Sequence, residues 1–324
     1  MRLNLGRAKK FANRADLIAW LTIGLSLFIY LLRFFELDNP LLIALSGFNP
    51  LLFLPILFVT MIGIRLRRKL IGIASAFMFV IYLVTFTPHN AIIGCSASKT
   101  SEDSITIYSH NVLWGNANVS EMASEIAINK PDIIVMQETS DGFLSKLNLE
   151  PELVGYQYHL DGIEDLDHVG PTIWSKFPLI DSKQERLGAA PITSTIVKTP
   201  SAEFRLYGIH TSAPVTKLAA KFWNKQYDLL KGFDSTKPTL LVGDFNATED
   251  HKQFRQLLSN GWDDAHSSKG CGLDNTWSLS PIPVPILRLD HVLHTSHFEV
   301  SSLEVGPANN SDHKPVIVRL SQTT

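Results

Sequence analysis

Residues 239–246 read Thr-Leu-Leu-Val-Gly-Asp-Phe-Asn, and this stretch decides the fold of the second half of the chain. Its apolar run at 240–242, bounded by a glycine, predicts a short buried strand. Because side chains two positions apart on a strand point the same way, we expect Asp244 and Asn246 to leave its end together. Open α/β sheets bind ligands at the carboxyl ends of their strands. The stretch therefore places a carboxylate, which can hold a cation or accept a proton, beside a carboxamide that can bind an anionic oxygen.

Four other segments combine an apolar strand with polar side chains near its end. The strands predicted at 105–111, 132–138 and 206–210 each stop at such a residue, and a fourth at 289–293 precedes the Ser-Asp-His-Lys-Pro sequence at 311–315. The polar residues placed in this way are Asn111, Glu138, His210, Asp290, Asp312 and His313. Gly, Asp and Asn also form ordinary turns, so a single strand end of this kind is equally well explained as a turn. Five of them in one domain indicate a single site.

This ordered set resembles the endonuclease/exonuclease/phosphatase superfamily, which includes apurinic endonucleases, pancreatic-type deoxyribonucleases, neutral sphingomyelinases and inositol-polyphosphate phosphatases. The resemblance covers residues 105–320, and Gly170–Pro178 is similar to the family's Gly…Ser-Lys/Arg…Pro strand. It implies a four-layered α/β sandwich, in which two packed mixed sheets are flanked by helices. The alternation of predicted helices and strands after residue 105 fits such a fold. The implied activity is metal-dependent hydrolysis of a phosphoric ester.

The resemblance also implies roles for the residues around the metal. Glu138 is the expected ligand of Mg²⁺ or Mn²⁺, ions that prefer oxygen ligands, and Asn111 and Asp312 are expected to complete the shell, directly or through water. Asp244 is expected to orient or deprotonate the attacking water, and Asn246 to hold a non-bridging phosphate oxygen. One departure is Leu113, which stands where apurinic endonucleases carry an aspartate near the metal.

The remaining residues of the set are expected to handle protons and negative charge. His313 paired with Asp290 resembles the superfamily's His–Asp couple, in which the carboxylate fixes the imidazole tautomer and favours its charged form. The couple is expected to act as general base or to stabilise the pentacovalent state. His210 is the expected second donor on the phosphate side. Each residue taken alone could equally be a turn carboxylate or a strand-end histidine, and it is the ordered set that favours a catalytic role.

The first hundred residues contain three long apolar stretches, at about 17–35, 41–64 and 70–88. Each is near the roughly 20 helical residues needed to cross a hydrocarbon core of about 30 Å. Basic residues precede the first stretch and separate the second from the third: Arg2, Arg7, Lys9, Lys10 and Arg14, then Arg65, Arg67, Arg68 and Lys69. Since positively charged segments stay in the cytoplasm, the chain after about residue 90 is expected outside the cytoplasmic membrane, which in a Gram-negative cell is the periplasm.

The sequence thus divides into a three-helix transmembrane region at 1–95, a linker at 96–104 and a hydrolase domain at 105–322. A buried soluble helical domain is the alternative for the first part, and its long uncharged runs disfavour it. Cys95 lies in a sequence similar to a bacterial lipobox, and a disulfide with Cys271 is the other use open to it. His291, His294 and His297 do not share a strand face, so we interpret them as incidental rather than as a zinc site.

Charge separates the possible substrates. Of the 29 Lys and Arg and the 31 Asp and Glu residues, 10 and 3 respectively precede residue 96, so the remainder carries 19 basic and 28 acidic residues and a net charge of −9. Nucleic-acid binding depends on basic side chains, so this charge disfavours a nuclease. The sequence favours a membrane-anchored hydrolase of a phosphorylated, lipid-linked substrate, an architecture similar to VanJ-like and YafD-like bacterial proteins. A periplasmic nuclease and an inactive binding or scaffold module are the alternatives.

Overall fold

The computed structural model describes residues 2–86, 104–162, 164–165, 168–269, 274–279 and 284–323. Within these ranges it describes side chains from residue 13 onward, except at 164–165 and 168–169. Cys95 and Cys271 lie outside these ranges, as does most of the predicted linker. Lipidation of Cys95 and its pairing with Cys271 therefore stay predictions. The apolar, Pro-rich segment at 282–287 is described from residue 284 onward.

Helices make up most of the described N-terminal region. They are α1 (Arg2–Leu32), α2 (Pro40–Gly47), a 3₁₀ turn (Asn49–Leu52), α3 (Phe53–Arg65) and α4 (Lys69–Phe86). Two helices, α1 over Asn13–Leu32 and α4, are long and apolar enough to cross a membrane, and α2 with the segment Asn49–Arg65 gives a third candidate that is bent by 58°. The bend falls just before Pro50, where a proline disfavours helical backbone in the residue preceding it. Two or three apolar helices thus agree with the predicted spans.

The remaining helices and strands alternate along the chain. The helices are α5 (Val119–Asn129), α6 (Asp141–Leu147), α7 (Lys217–Leu230), α8 (Lys252–Leu258) and α9 (Ala265–Lys269), with a 3₁₀ turn at Pro151–Leu153. The strands are β1 (Ile105–Asn111), β2 (Ile133–Gln137), β3 (Tyr158–Leu160), β4 (Glu164–Asp165), β5 (His168–Val169), β6 (Thr172–Ser175), β7 (Leu179–Leu187), β8 (Ala190–Lys198), β9 (Glu203–His210), β10 (Thr239–Asp244), β11 (Asp263–Asp264), β12 (Trp277–Ser278), β13 (Pro285–Leu287), β14 (Asp290–His294), β15 (Phe298–Val305) and β16 (Val316–Gln322).

Two six-stranded sheets form the centre of this domain. One has the order β15-β16-β1-β2-β6-β3 and the other β11-β14-β10-β9-β8-β7. In each sheet the central pair is parallel, β1 with β2 and β9 with β10, and the other neighbours are antiparallel. Apolar side chains from both sheets form one buried cluster, which includes Ile107, Val135, Leu206 and Val242. The sheets therefore pack face to face.

Helices cover the outer faces of both sheets, which completes the predicted four-layered sandwich. Residues of α5 and α6 share a buried cluster with the first sheet, and residues of α7 and α8 share one with the second. The helix α7 begins after Thr216, whose side chain accepts from the Ala219 backbone N–H at 3.1 Å, and it ends at Leu230. The strand β7 was not predicted, because its exposed, charged side chains are those of a sheet edge and lack the alternation of a half-buried strand.

The N-terminal helical region also contributes to the second of these outer layers. Ile43 of α2 is almost completely buried within the cluster formed by α7, α8 and the second sheet, and Leu37 packs against that cluster. Apolar contacts of this kind bury surface that either part alone would expose to water. The N-terminal helices and the sandwich therefore share a packed interface.

Candidate metal-dependent active site

The ends of the central strands bring the predicted site residues together. Asn111 ends β1 beside Gln137 of β2, and Glu138 follows directly. In the other sheet, Asp244 at the end of β10 pairs with His210 at the end of β9. The antiparallel strand β14 starts at Asp290, which pairs with Asp244 from the other side. Because the central strands of both sheets are parallel, their carboxyl ends place these side chains on one edge of the sandwich.

The Gly-Asp-Phe-Asn sequence forms both a turn and part of the site. Gly243 has φ 143°, and Asn246 has φ 46°. The expectation that Asp244 and Asn246 share a strand face is wrong, because the strand ends at Asp244 and the chain turns there. The turn itself brings the two residues together: the Asn246 backbone N–H donates to Asp244 Oδ1 at 2.8 Å. The Asn246 amide nitrogen lies 2.8 Å from Thr211 O and 3.3 Å from Asp244 Oδ2.

Asn111 and Glu138 lie at the centre of the cluster. The Asn111 amide donates to Glu138 Oε1 at 3.0 Å and to Asp244 Oδ2 at 3.1 Å. His210 Nε2 lies 3.5 Å from Glu138 Oε1 and 3.9 Å from Asp244 Oδ2. Glu138 has φ 54°, a left-handed backbone that non-glycine residues rarely adopt and that recurs at functional sites. Burial raises the pKa of the Glu138 carboxyl.

His313 lies between two carboxylates. Its Nδ1 is 2.8 Å from Asp290 Oδ2, so Nδ1–H donates to that oxygen, and its Nε2 is 3.7 Å from Asp244 Oδ2. Burial alone would lower the pKa of His313, but Asp290 and Asp244 raise it to about 10. Burial raises the pKa of Asp244 to about 6, while the charged ring of His313 holds the pKa of Asp290 below its ordinary value in spite of burial. The predicted His–Asp couple is therefore present in the structure as an ion pair.

The oxygen atoms around the site suit a hard divalent cation. Among the described residues, Glu138 Oε2, Asp290 Oδ1 and Asp312 Oδ1 are buried without a hydrogen-bond partner. A buried carboxylate oxygen in that state is costly unless a cation or a donor compensates it. The other oxygen of Asp312 accepts from Trp277 Nε1 at 3.2 Å. Glu138 and Asp312 therefore fit the predicted Mg²⁺ or Mn²⁺ site and would hold the ion. The Asn111 oxygen accepts from the Leu113 backbone N–H at 3.1 Å and the Asn111 amide nitrogen faces Glu138, so Asn111 would join the shell through water.

The sequence matches the family described as Endonuclease/Exonuclease/phosphatase family over residues 108–313, which contain every predicted site residue. The chain belongs to this family. Its members are divalent-metal-dependent phosphoesterases, so the predicted enzyme class is confirmed. The matched residues lie entirely within the sandwich, and the N-terminal helices precede them. No curated protein matches the chain.

Solved structures of the family share the fold at low sequence identity. The endonuclease/exonuclease/phosphatase from Bacteroides vulgatus is 19% identical with a TM-score of 0.57, covering 68% of this chain and 99% of that one. A mannosyl-6-phosphatase from Bacteroides thetaiotaomicron is 19% identical with a TM-score of 0.52, covering 67% and 99%. The TDP2 of D. rerio, complexed with a single-strand DNA product, is 15% identical with a TM-score of 0.54, covering 68% and 100%. Phosphatases and nucleases of the family thus share this fold.

The structure shows supporting roles for two side chains, Thr276 and Ser311, that the sequence did not assign. Thr276 Oγ1 accepts from the backbone N–H groups of Leu289 and Asp290, at 3.1 and 3.2 Å, which fixes the start of β14. Ser311 Oγ donates to Asn111 O at 2.8 Å and accepts from the His313 backbone N–H at 3.1 Å. Ser311 belongs to the Ser-Asp-His sequence at 311–313, which the resemblance includes without giving the serine a role, whereas no local pattern distinguishes Thr276.

His291 has a partner that the sequence did not reveal. Its Nδ1 lies 2.8 Å from Asp264 Oδ2 and its Nε2 lies 3.0 Å from Ala247 O, so both ring nitrogens face acceptors. A histidine in this arrangement is doubly protonated. The ligand atoms of Asp264, His266 and His291 also lie within 4.8 Å of one another. His291 is therefore not incidental, since its contact with Ala247 holds the residue that follows Asn246. His294 and His297 bond elsewhere, to Ser268 and to Thr295.

Exposed apolar side chains lie next to the ends of β1, β12 and β13, close in sequence to residues of the site. Trp114, which comes shortly after β1, is 50% exposed, and its backbone is left-handed with φ 56°. Leu279, directly after β12, is 46% exposed, and Val284, directly before β13, is 59% exposed. Strand β12 also contains Trp277, the residue that bonds to Asp312. The polar site thus has apolar neighbours that are open to solvent.

Proposed function

We propose that this protein is a membrane-anchored, divalent-metal-dependent phosphoesterase that hydrolyses a phosphate ester or anhydride on a lipid-linked substrate. The proposed location is the outer face of the cytoplasmic membrane, with the N-terminus in the cytoplasm. One observation supports this most strongly: α2 contacts the chain just beyond the active-site turn. His251 Nε2 donates to Ile43 O at 3.0 Å, five residues after Asn246. A site this close to the membrane helices suits a substrate held in the bilayer.

The contacts of the first interhelical connection support the proposed topology. The Asn224 amide donates to Leu37 O at 2.8 Å, and Gln256 donates to Glu36 Oε1 at 3.1 Å. A connection that touches the catalytic domain must lie on the same side of the membrane as that domain. The basic segment at 65–69 joins the far ends of α3 and α4, and such segments remain in the cytoplasm. An extracytoplasmic catalytic domain accounts for both features.

The apolar surface near the site supports the proposed class of substrate. A phosphate needs the polar cluster, whereas an acyl or prenyl chain needs apolar contacts. Trp114, Leu279 and Val284 offer such contacts. Leu287, in the strand that begins after Val284, lies 3.9 Å from where a side chain on Gly47 of α2 would begin. Leu287 therefore lies against the membrane helices, and tethering raises the effective concentration of a substrate in the same bilayer.

The arrangement assigns a task to each catalytic side chain. Asp244 is placed to orient the attacking water or to accept its proton. His313, with a carboxylate near each ring nitrogen, acts as a charged donor to a phosphoryl oxygen rather than as the base. His210 is placed to donate on the phosphate side. When bound, Mg²⁺ or Mn²⁺ offsets the charge on the phosphoryl and leaving oxygens. To bind a non-bridging phosphate oxygen as proposed, the Asn246 amide must release Thr211 O or Asp244 Oδ2, its partners in the structure.

Two other functions, a nuclease and an inactive scaffold, predict different properties from those of the proposed phosphoesterase. A periplasmic nuclease has support from the DNA-bound D. rerio neighbour, but the charge of −9 opposes it. An inactive binding or scaffold module would not need the buried, unpaired carboxylate oxygens of Glu138 and Asp312.

The test uses the full-length protein in detergent, with Mg²⁺ or Mn²⁺ and with EDTA. The substrates are a polyprenyl pyrophosphate, a phosphatidic acid, bis(p-nitrophenyl) phosphate and plasmid DNA. We expect metal-dependent turnover of a lipid phosphate, and we expect Glu138→Gln to lower it at least about 100-fold. Exposed Glu152→Gln is the matched control. Plasmid nicking without lipid turnover would favour the nuclease, and inactivity on every substrate would favour the scaffold.

The proposed orientation has its own test. Alkaline phosphatase fused after residue 324 folds and is active only outside the cytoplasm, because it needs disulfides. We expect an active fusion there and an inactive one when the reporter is joined at residue 67. The reverse result would contradict the outer-face location and leave the chemistry untouched.

A further inference from the structure

Asp250 is a buried carboxylate whose side-chain partners come from the membrane region. It is 2% exposed and lies four residues after Asn246. Its Oδ1 accepts from the Asn49 amide at 2.9 Å and lies 3.5 Å from Arg33 Nε. Its backbone carbonyl accepts from Ser46 Oγ at 3.1 Å. Burying a charge is costly unless it is paired and hydrogen-bonded, so these contacts are what make the buried position tolerable.

The partners of Asp250 are themselves held by all three candidate spans. Asn49 is fully buried, and while its amide donates to Asp250, its Oδ1 accepts from Tyr82 of α4 at 3.0 Å. Arg33 directly follows α1 and lies among three aromatic rings whose centroids are 5.5 to 5.9 Å from its guanidinium carbon, those of Tyr30, Phe34 and Phe86. Cations are attracted to ring faces at this distance. The contacts of the Asp250 carboxylate therefore depend on how the membrane helices pack against one another.

His251, the residue after Asp250, is hydrogen-bonded to α2, and its ring has a single tautomer. The Thr248 backbone N–H donates to His251 Nδ1 at 2.9 Å, so the ring proton is on Nε2, which donates to Ile43 O. Burial lowers the pKa of His251 to about 4, which agrees with a neutral ring. Ile43 in turn packs in the same buried cluster as Phe245 of the active-site turn. The segment that begins with the active-site turn at Asp244 is thus bonded to the membrane region at His251.

We propose that Arg33, directly after the first candidate span, and Asn49, at the bend of the second, form a positioning element of the active site. Through the Arg33–Asp250 pair, packed membrane helices hold residues 244–251 in the geometry that catalysis requires. Hydrolysis then depends on the membrane region as well as on the sandwich. This inference rests on the proposed function only in treating Asp244 as catalytic. Neither Arg33 nor Asp250 touches the metal-site residues, so both act through the turn.

The test compares buried and exposed ion pairs of the same interface in full-length protein reconstituted into lipid nanodiscs. Asp250→Asn and Arg33→Gln remove the buried pair, and Glu36→Gln removes the exposed contact with Lys252, which spans 3.3 Å. We expect the first two to speed amide hydrogen exchange in residues 244–258 at least about tenfold. We expect kcat for bis(p-nitrophenyl) phosphate to fall by a similar factor at unchanged KM, and Glu36→Gln to change neither quantity more than about twofold.

Coupling and folding are checked within the same experiment. The double variant should lose less than the product of the single losses, because both remove one interaction. Slow exchange in β2 shows that a variant is folded. If Asp250→Asn is unfolded by that criterion, Ser46→Ala replaces it and should show the same effects on a smaller scale. A folded variant with wild-type exchange at 244–258 would overturn the proposal. Exchange decides this even if the wild type hydrolyses no substrate, which would refute the proposed function instead.

Discussion

The pKa values of buried carboxylates in this protein shift in opposite directions, depending on which groups face them. Burial alone would raise the pKa of Asp264, but His291 and His266 hold it well below its ordinary value. Burial raises the pKa of Glu125, and hydrogen bonds from Tyr108 at 2.9 Å and Asn309 at 2.8 Å offset this only in part. The difference is a positive charge: a nearby cation favours the ionised form, whereas neutral donors compensate burial incompletely.

The Glu125 carboxyl leads to a pH-dependent prediction. Its raised pKa means that the native state binds this proton more tightly than the unfolded chain does. The stability it contributes is fully present below the unfolded pKa and is lost as pH rises through the folded pKa. Glu125→Gln keeps an oxygen for Tyr108 and Asn309 but carries no charge. We therefore expect the variant to melt at a higher temperature than wild type at pH 8, and we expect this advantage to vanish near pH 4.

Thermal unfolding of the full-length protein in detergent, followed across that pH range, measures the effect. Glu121→Gln is the matched control, because Glu121 is an exposed glutamate on the same helix. The control should show no pH-dependent difference from wild type. A Glu125→Gln variant that is less stable than wild type at pH 8 would contradict the assignment.

At the scale of the element, the strand β10 controls how closely the two halves of the site approach. Gly243 lies one residue before its end, and a Cβ there would lie 2.0 Å from Ile209 O of β9 and 3.0 Å from Gln137 Nε2 beside β2. Its φ of 143° is also one that other residues rarely adopt. Only glycine lets β9, β10 and β2 converge there, so Asp244, His210 and Glu138 depend on it for their spacing.

Substitution of Gly243 should therefore affect stability and metal binding together. We expect Gly243→Ala to lower the free energy of unfolding by about 2–4 kcal/mol, because β9 must move away from β10. Mn²⁺ affinity, measured by electron paramagnetic resonance, should fall as the ligands separate. In contrast, a Cβ on Gly142 of helix α6 would meet nothing within 4 Å. Gly142→Ala should stabilise the protein by up to about 1 kcal/mol and leave Mn²⁺ binding unchanged. Equal behaviour of the two variants would refute this account.

At the scale of the whole molecule, opposite charges are segregated along the chain. The part up to residue 95 has 10 basic and 3 acidic residues, while the remainder has a net charge of −9. A domain of that charge repels a polyanion, since affinity for nucleic acid derives mainly from phosphate neutralisation by Lys and Arg. Ten of the 29 basic residues lie outside that domain, in the part up to residue 95.

The full-length protein should accordingly bind duplex DNA poorly. We expect a Kd weaker than about 10⁻⁴ M near physiological salt, measured by fluorescence anisotropy with a labelled duplex. Binding in the micromolar range that weakens steeply with added salt would reveal a local basic groove and restore the nuclease alternative. A salt titration with the N-terminal basic residues Arg2, Arg7, Lys9, Lys10 and Arg14 changed to Gln distinguishes that groove from the N-terminal segment.

Much of this architecture was accessible from local patterns. Three apolar stretches and two basic clusters predict the N-terminal helices, because the length and polarity of a segment determine whether it suits a bilayer. Strands that end in Asn111, His210 and Asp244 predict one edge of a sandwich, because parallel strands align their carboxyl ends. These properties depend on residue type and spacing within a short segment, so they can be read without knowing what packs against it.

Tertiary structure alone decided how distant segments pair. Asn49 and Asp250 are 201 positions apart and share a buried hydrogen bond, and the pairs Asp264–His291 and Ser311–Asn111 are likewise separated by long stretches of chain. On sequence grounds Asn49, Asp250 and Asp264 could equally be exposed polar residues. Whether such a group is buried, and which partner then compensates its lost hydration, depends on the packing of the whole chain, and local sequence does not contain that information.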